Sequence, residues 1–446
     1  MKNVPQVKVG IMNEPSVEFV LNGNYKMNGS DCTGPQSVLC MGGQVSWNGS
    51  CCDELLFEPA DYESCSFTLK DVTIGVSFHW RRKENQTFAG ALKLIVENDR
   101  ITAINILPVE DYLLSVISSE MSANASLELL KAHAVISRSW LLAQIQKKDV
   151  THQPADAFPD NDPLKGRLDD AQEVIRWWDR DDHVNFDVCA DDHCQRYQGI
   201  TRASTDKVSE AIQATWGQVL MYGGELCDAR FSKSCGGVFE EFENCWEPHH
   251  HDYLVARRDG ENPMDFPDLT REDAAEEWIL TSPKAFCNTR DPQILSQVLN
   301  DYDQETKDFY RWSVEYTQEQ LAELIHRRTG VDYGRIRDLQ PVARGTSGRL
   351  YKLKIVGENC TRVIGKELAI RYALSESALY SSAFVVERHD IDAEGYPAKF
   401  VLRGAGWGHG VGLCQIGAAV MGAKGYDYKR ILLHYFVGAS IVKQYE

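Results

Sequence analysis

The sequence predicts an α+β protein: a β-rich N-terminal region, then a mixed α/β core that ends in a glycine-rich loop. Short apolar or alternating segments separated by Asn-Gly and glycine breaks fill the first 105 or so residues. Helical periodicity begins only after them, near Ser126. Six glycines then crowd the stretch between positions 404 and 417.

The N-terminal region, residues 1–105, is predicted to form short strands. Its apolar or alternating segments are VKVGIM, VEFVLNG, QVSWNG, FTLKDVTIGVSF, ALKLIVENDR and ITAINIL. Residues of this kind favour strands when turn signals bound them. The region offers no group of side chains that suggests chemistry of its own.

The core is expected to span residues 106–446. A helix should begin after Ser126, a good N-cap residue, with Glu128 in its first turn. A second helix should run from Thr317 to Gly330, with Gln320 completing a capping box. REDAAEEWIL indicates a short helix, while RLYKLKIVG, RVIGKELAI and AFVVERHDI indicate strands with a short helix between them. Two polar insertions are expected near 149–182 and 262–304.

Composition restricts the possible partners. With 446 residues, of which 43% are hydrophobic, the chain can bury a large core and form two or three domains. Its net charge of −18 argues against nucleic acid or an anionic membrane. No apolar stretch is long enough to predict a transmembrane segment. A polysaccharide, which is bound through hydrogen bonds and aromatic stacking, remains compatible with this charge.

The cysteines and the N-terminus bear on the compartment. Thirteen cysteines are an odd number, so they cannot all pair within the chain. MKNVPQVKVGIMNEPS lacks the continuous apolar region of a signal peptide. Either a leader has been replaced by a start methionine, or the chain works in the cytoplasm.

Glu120 is the first candidate catalytic residue. It follows an apolar run, Tyr112 to Ile117, and precedes the predicted helix. A carboxyl group at an apolar edge loses hydration, which disfavours its charged form and suits it to general acid catalysis. The local sequence also allows a solvated carboxylate between two elements.

A second constellation is His183, Cys189 and Cys194 in HVNFDVCADDHCQRYQG. Imidazole and thiolate suit zinc, and three protein ligands leave a fourth position open. The spacing is loose, because His193 can replace His183 and because a packed cysteine pair beside a surface histidine has the same pattern.

Five segments in order resemble the SpoIID/LytB family of cell-wall proteins. They are PVEDYLLSVISSEM, KAHAVISRSW, the SCGG turn in RFSKSCGGVFEEFENCW, TSGRLYKLKIVG and GWGHGVGLCQIGA. Together they span the chain from about residue 90 to the C-terminus. The resemblance implies a lytic transglycosylase that cleaves the MurNAc–GlcNAc bond of peptide-stripped peptidoglycan strands and leaves 1,6-anhydroMurNAc ends. Glu120, in SSEM, matches the catalytic position; Asp111 is an alternative, and Glu110 is expected to be structural.

The resemblance also implies roles for other residues. Arg138 either holds the Glu120 region in shape or contacts a muramic carboxylate, although a surface salt bridge explains it equally. Further substrate contacts are expected from the turn and the glycine-rich tail, at Lys233, Ser234, Trp407 and His409, with a tight turn and a packed loop as the alternatives. Some family members bind zinc with a His-Cys-Cys set, which favours structural zinc at His183, Cys189 and Cys194.

Two other functions compete with the transglycosylase. Some family members enhance a cell-wall amidase, and that amidase would then be a partner of this chain. A metal-dependent hydrolase centred on the His-Cys-Cys set is the third, although no general base accompanies it. A peptidoglycan substrate implies an extracytoplasmic location, in the periplasm or cell envelope, which conflicts with the missing signal peptide.

Overall fold

The computed structural model describes residues 4–74, 82–122, 124–150, 172–175, 183–191, 194–201, 205–298 and 308–446. These residues form two compact units. The first unit contains the described residues of 4–150, 183–228 and 441–446, and the second contains 172–175 and those of 229–440.

The secondary-structure elements are numbered in chain order. The helices are α1 (Val109–Glu120), α2 (Leu127–Val150), α3 (Asp206–Ala214), α4 (Phe242–Cys245), α5 (Glu272–Leu280), α6 (Pro292–Val298), α7 (Gln318–Thr329), α8 (Glu367–Ala373), α9 (Gln415–Ala423) and α10 (Tyr428–Tyr435), with a 3-10 turn at Gly199–Thr201. The strands up to residue 108 are β1 (Gln6–Glu14), β2 (Ser16–Met27), β3 (Ser30–Met41), β4 (Gln44–Trp47), β5 (Ser50–Cys52), β6 (Glu54–Pro59), β7 (Ser66–Ile74), β8 (Arg82–Ala89), β9 (Ala91–Glu97) and β10 (Arg100–Pro108). The later strands are β11 (Glu173–Ile175), β12 (Val188–Cys189), β13 (Gln218–Tyr222), β14 (Glu225–Leu226), β15 (Phe231–Ser232), β16 (Arg311–Thr317), β17 (Ile336–Arg344), β18 (Leu350–Gly357), β19 (Thr361–Gly365), β20 (Phe384–Ile391), β21 (Pro397–Ala405), β22 (Leu413–Cys414) and β23 (Ser440–Lys443).

A large sheet dominates the first unit. Its strands follow the order β12-β1-β10-β9-β6-β2-β3-β4-β5, with β7 pairing to β2 and β8. β1 and β10 are antiparallel, with Val9 opposite Asn105, and β12 joins β1 in parallel. Fully buried residues alternate with partly buried ones in β7 and β9, which gives the sheet one face for a core. β10 leads directly into α1, and α2 packs against α1, α3 and β13.

Two sheets share a core in the second unit. One has the order β11-β19-β18-β17, the other β16-β21-β20, and β15 pairs with β22. A buried cluster includes residues of both sheets together with residues of α7 and α8, among them Leu321, Leu353, Ile370 and Phe400. Burial of this apolar surface is the main force that holds the two sheets together.

The predicted fold class is confirmed. The helix after Ser126 forms, and the Ser126 side chain accepts the Leu129 N–H at 3.3 Å. α7 has the predicted capping box at Thr317 and Gln320 and ends at Gly330, whose φ is 71°. RVIGKELAI divides into β19 and α8.

The boundary expected near residue 105 stays a prediction. In the structure, β10 pairs with β1 and continues into α1 within the first unit. Most of the expected insertion at 149–182 lies outside the described residues. The end of the other expected insertion, at 262–304, also lies outside them from residue 299 onward. Within the described part of the chain, no helix is long and apolar enough to cross a membrane.

Candidate functional site

Helix α1 carries three carboxylates. It forms because its buried residues recur every three or four positions, and because Pro108 precedes it with the extended backbone suited to a helix start. Glu110 and Asp111 lie in the first turn, where the helix dipole favours negative charge. Glu120 is the last residue of the helix. This stretch was predicted only as an apolar run, although its helical periodicity is visible in the sequence.

Glu110 forms a buried ion pair with Arg138. Both its oxygens accept hydrogen bonds from Arg138, at 2.9 and 2.7 Å, and its Oε1 also accepts from Gly217 N–H and Tyr445 Oη. Arg138 is 0% exposed and donates further to the Gln218 carbonyl. The guanidinium is enclosed and joins α2 to α1, because a buried charge needs a buried partner. This burial favours the structural alternative for Arg138 over a contact with substrate.

Asp111 accepts a hydrogen bond from Tyr62. Tyr62 Oη donates to its Oδ2 at 2.6 Å, and the carboxylate is half-buried. Burial is the main cause that raises the pKa of Asp111, while the hydrogen bond from Tyr62 acts in the opposite direction. A raised pKa suits Asp111 to act as a general acid, but this residue lies at the opposite end of α1 from Glu120.

Glu120 is half-buried at the end of α1, beside the segment 194–198. The Arg196 N–H donates to its Oε1 at 3.4 Å. The ring of Tyr197 stacks on Tyr112 of α1 with centroids 5.0 Å apart. The segment is therefore fixed along the helix, with a backbone donor facing the carboxylate.

The same segment begins at one of the predicted metal ligands. His183 Nε2 lies 3.5 Å from Cys194 Sγ, and the potential ligand atoms of His183, Cys189 and Cys194 all lie within 4.8 Å of one another. Strand β12 holds Cys189 against β1 by parallel pairing with Gly10. All three residues are half-buried, so the donor set and its partial exposure fit zinc with one further ligand. The alternative ligand His193 lies outside the described residues.

The predicted substrate residues of the second unit lie in the turn and the tail. Ser234 and Trp407 form a bridge through both backbone N–H groups, at 3.0 and 2.8 Å. Ser234 is 0% exposed, which favours the tight-turn alternative over a contact with substrate. Lys233 is half-buried, and its Nζ donates to the Val298 carbonyl at 2.6 Å. Trp407 is half-buried and stacks on Phe309 with centroids 4.9 Å apart.

His409 packs within its own loop. Its Nδ1 accepts the Val411 N–H at 3.0 Å, and its ring meets the edge of Trp246 at 4.8 Å. Burial, and then the nearby charges of Arg230 and Arg349, hold the pKa of His409 well below its usual value. The ring is therefore neutral at neutral pH, with its proton on Nε2. These contacts favour the packed-loop alternative for His409 over a sugar contact.

Arg349 organises this loop, although it was not among the predicted site residues. It is 1% exposed and donates to the carbonyls of Gly408, Cys235 and Ser234 and to Ser347 Oγ. The guanidinium thus holds the SCGG turn and the glycine-rich tail together. The only signal in the sequence was its position in TSGRLYKLKIVG, one of the five resembling segments.

Two of the tail glycines, Gly406 and Gly410, lie against this arginine. Gly406 and Gly410 have φ of 77° and 79°, in the left-handed region. A Cβ at Gly410 would lie 2.5 Å from Arg349 Cζ, and one at Gly406 would lie 2.8 Å from an Arg349 nitrogen. At these two positions, glycine lets the backbone close around a buried guanidinium.

A buried carboxylate supports the arginine. Ser347 Oγ accepts from Arg349 at 3.0 Å and donates to Glu240 Oε2 at 2.6 Å. Glu240 is 0% exposed and also accepts from Thr346 and Asn244. Hydrogen bonds from several donors stabilise such a charge inside the protein.

Comparison with known proteins finds one family match in each unit. Residues 97–222 match the family described as stage II sporulation protein, and residues 240–412 match a domain of unknown function. The chain is 24% identical to an uncharacterized protein of Brachyspira hyodysenteriae, over 80% of this chain and 72% of that protein. It is 25% identical to the amidase enhancer of Bacillus subtilis, over 73% of this chain but only 39% of the relative. It is 22% identical to stage II sporulation protein D of Bacillus amyloliquefaciens, over 76% and 75% of the two chains.

Proposed function

Because the chain belongs to the SpoIID/LytB family, we propose that it is a lytic transglycosylase that cleaves peptidoglycan strands with Glu120 as its acid and base. The observation that carries this proposal is the state of the α1 carboxylates. Glu110 is bound by Arg138 and Asp111 by Tyr62. Among the described residues, the hydrogen bond recorded for Glu120 is a long one, from a backbone N–H at 3.4 Å. Its carboxyl group is thus the one on α1 that can approach a substrate.

The proposed reaction uses one carboxyl group twice. The Glu120 carboxylic acid donates its proton to the oxygen that bridges MurNAc and GlcNAc, and the bond from the MurNAc C1 to that oxygen breaks. The C6 hydroxyl of the same MurNAc then attacks C1 of the oxocarbenium-like sugar. The Glu120 carboxylate removes the hydroxyl proton, which restores the acid and leaves a 1,6-anhydroMurNAc end. No water is consumed.

The spacing of carboxylates on α1 excludes Asp111 and Glu120 as a hydrolase pair. Ordinary glycoside hydrolases need two carboxyl groups about 5 to 9.5 Å apart. Asp111 lies nine positions before Glu120 on the same helix. At about 1.5 Å per residue this corresponds to about 14 Å along the helix axis. Within α1, Glu120 therefore has no second carboxylate at the separation that a hydrolase needs.

We assign His183, Cys189 and Cys194 to a zinc ion with a structural role. The ion, when bound, would supply a rigid crosslink at the start of the segment that faces Glu120. Cys194 precedes Arg196 by two residues, so fixing its thiolate fixes the backbone N–H that meets the Glu120 carboxylate. Thiolate ligands also require a site protected from oxidation.

For the second unit, we propose Lys233 and Trp407 as glycan contacts, since both are half-buried rather than enclosed. Trp407 offers an aromatic surface for a sugar ring. The substrate places the protein in the cell envelope, outside the cytoplasmic membrane.

Product analysis tests the proposal. The purified protein is incubated with peptide-free and peptide-bearing glycan strands, and the products are identified by mass spectrometry. We expect 1,6-anhydroMurNAc ends from the wild type and a loss of about 10²-fold or more in rate for Glu120→Gln. Asp111→Asn is the matched control, because it removes a carboxylate of the same helix that is bound to Tyr62, and it should retain activity. Reducing-end products, or equal activity in Glu120→Gln, would refute the assignment.

A second candidate function is enhancement of a cell-wall amidase, favoured by the relative that bears that name. Under this alternative, neither variant affects glycan cleavage, because the folded protein cleaves none. Adding the protein to a cell-wall amidase and measuring released stem peptide separates the two functions. Retained cleavage after metal removal from a folded sample would exclude a metal-dependent hydrolase.

A further inference from the structure

A cluster of four buried side chains lies in the second unit, and the proposed glycan chemistry does not use it. Its members are Cys235, Asp259, Cys287 and Cys414, each at most 2% exposed. They come from four separate segments: the SCGG turn, two loops, and the residue just before α9. The ligand atoms of all four lie within 4.8 Å of one another.

The distances suit a single metal ion. Cys235 Sγ and Cys287 Sγ are 3.6 Å apart. Sulfur atoms bound to one zinc ion at about 2.3 Å and arranged tetrahedrally lie about 3.8 Å from each other. Three thiolates and one carboxylate make a complete tetrahedral set of ligands that zinc accepts. Four protein ligands fill all the tetrahedral positions, so none is left for water, as in zinc sites that serve structure. The burial of all four residues also keeps solvent away from the ion.

Backbone donors are directed at two of the sulfurs. Cys235 N–H points to Cys414 Sγ at 3.3 Å, and Gly237 N–H points to Cys235 Sγ at 3.4 Å. The second contact depends on the paired glycines, since Gly236 and Gly237 have φ of 78° and 111° and turn the chain back onto Cys235. Donors of this kind stabilise thiolates and orient metal ligands. The SCGG turn therefore has the form of a metal-binding turn.

The carboxylate is also oriented. Asp259 Oδ2 accepts the Cys287 N–H at 3.0 Å, and Oδ1 accepts from Tyr435 Oη at 2.9 Å. Asp259 is 0% exposed, and in the described part of the chain its basic neighbour is His434, whose ring nitrogen lies 3.4 Å away and is charged only when the imidazole is protonated. Burying a carboxylate among sulfur atoms is costly without a cation. A divalent metal ion would supply the missing positive charge.

We propose that Cys235, Asp259, Cys287 and Cys414 bind one zinc ion that crosslinks the second unit. Binding releases the three thiol protons to solvent and leaves the ligands as thiolates and a carboxylate. The ion ties the SCGG turn to the end of the glycine-rich tail, which are the same two segments that Arg349 holds through hydrogen bonds. The proposal concerns the second unit alone and does not depend on the glycan chemistry.

Zinc content measured by inductively coupled plasma mass spectrometry tests the proposal. The triple variant His183→Ala/Cys189→Ser/Cys194→Ser removes the other ligand set, and we expect it to retain one zinc per chain. Adding Cys414→Ser should abolish that remaining zinc. Adding Cys227→Ser instead should leave it, since Cys227 is equally buried but lies outside the cluster. A folded triple variant that contains no zinc after purification in zinc-supplemented buffer would overturn the proposal.

A measurement on the wild-type chain covers variants that fail to fold. The protein is treated with iodoacetamide before and after a zinc chelator, and alkylated cysteines are mapped by peptide mass spectrometry. We expect chelation to increase alkylation of Cys235, Cys287 and Cys414 and to leave Cys227 unchanged. A disulfide between Cys235 and Cys287, found in the non-reduced peptide map, would contradict zinc binding. So would alkylation of the three cysteines that the chelator does not alter.

Discussion

Substitution of Gly410 by alanine tests how the glycine-rich tail is built. The residue has φ of 79°, and an added Cβ would lie 2.5 Å from Arg349 Cζ. Two costs follow. The left-handed backbone costs a residue with a Cβ about 1 to 2 kcal/mol, and the clash requires either the loop or the guanidinium to move.

The guanidinium has little freedom to move. It is held by the carbonyls of Gly408 and Cys235 at 3.0 Å and by Ser347 Oγ at 3.0 Å. Loss of one hydrogen bond to a charged group costs about 1.5 to 3 kcal/mol. We therefore expect Gly410→Ala to lower the free energy of unfolding by about 3 to 5 kcal/mol.

The matched control is Gly395→Ala in the turn between β20 and β21. Gly395 has φ of 89°, but an added Cβ there would have no atom within 4 Å. It bears the backbone cost alone, about 1 to 2 kcal/mol. Urea denaturation followed by tryptophan fluorescence measures both variants against the wild type. If the two variants lose the same stability within about 0.5 kcal/mol, the close approach to Arg349 does not constrain the loop and the reasoning fails.

Two further predictions concern buried charge. Arg138→Met should lower the free energy of unfolding by about 3 to 5 kcal/mol, because it leaves the Glu110 carboxylate buried without its guanidinium. The double variant Arg138→Met/Glu110→Leu should recover part of that loss in the same denaturation assay. If the double variant recovers no stability, the two residues are not paired as described. His409 has a lowered pKa when folded, so the unfolded chain binds more protons below about pH 6.5, and its contribution to stability is lost as pH falls from there towards the folded pKa. Denaturation between pH 7 and 5 should show the wild type losing stability relative to His409→Gln by up to about 1.4 kcal/mol per pH unit, and parallel curves would refute a neutral buried ring.

Local signals in the sequence predicted α2 and α7 together with their caps. The capping box of α7 joins Thr317 to Gln320, three positions along the chain, and Gly330 ends the same helix. Ser126 caps α2 in the same local way. Such features involve near neighbours in the chain, so their chemistry is readable without a tertiary structure.

Local signals failed where a strand has no regular alternation of apolar and polar residues. β3 contains Gly34 and Pro35 and is mostly exposed, so it has neither strict alternation nor a buried apolar run. It forms a strand because β2 and β4 pair with it on either side. Pairing partners of this kind are supplied by the tertiary structure.

The sequence by itself identified the family motifs, the acid candidate Glu120 and the ligand types of the His-Cys-Cys set. Only the tertiary structure decided which of the charged groups are paired with one another inside the protein. Arg138 is enclosed by Glu110, 28 positions away, and Cys235 meets Cys414, 179 positions away. The physical reason is that a charge or thiol takes its role from burial and from partners within a few ångströms, and those partners come from distant parts of the chain.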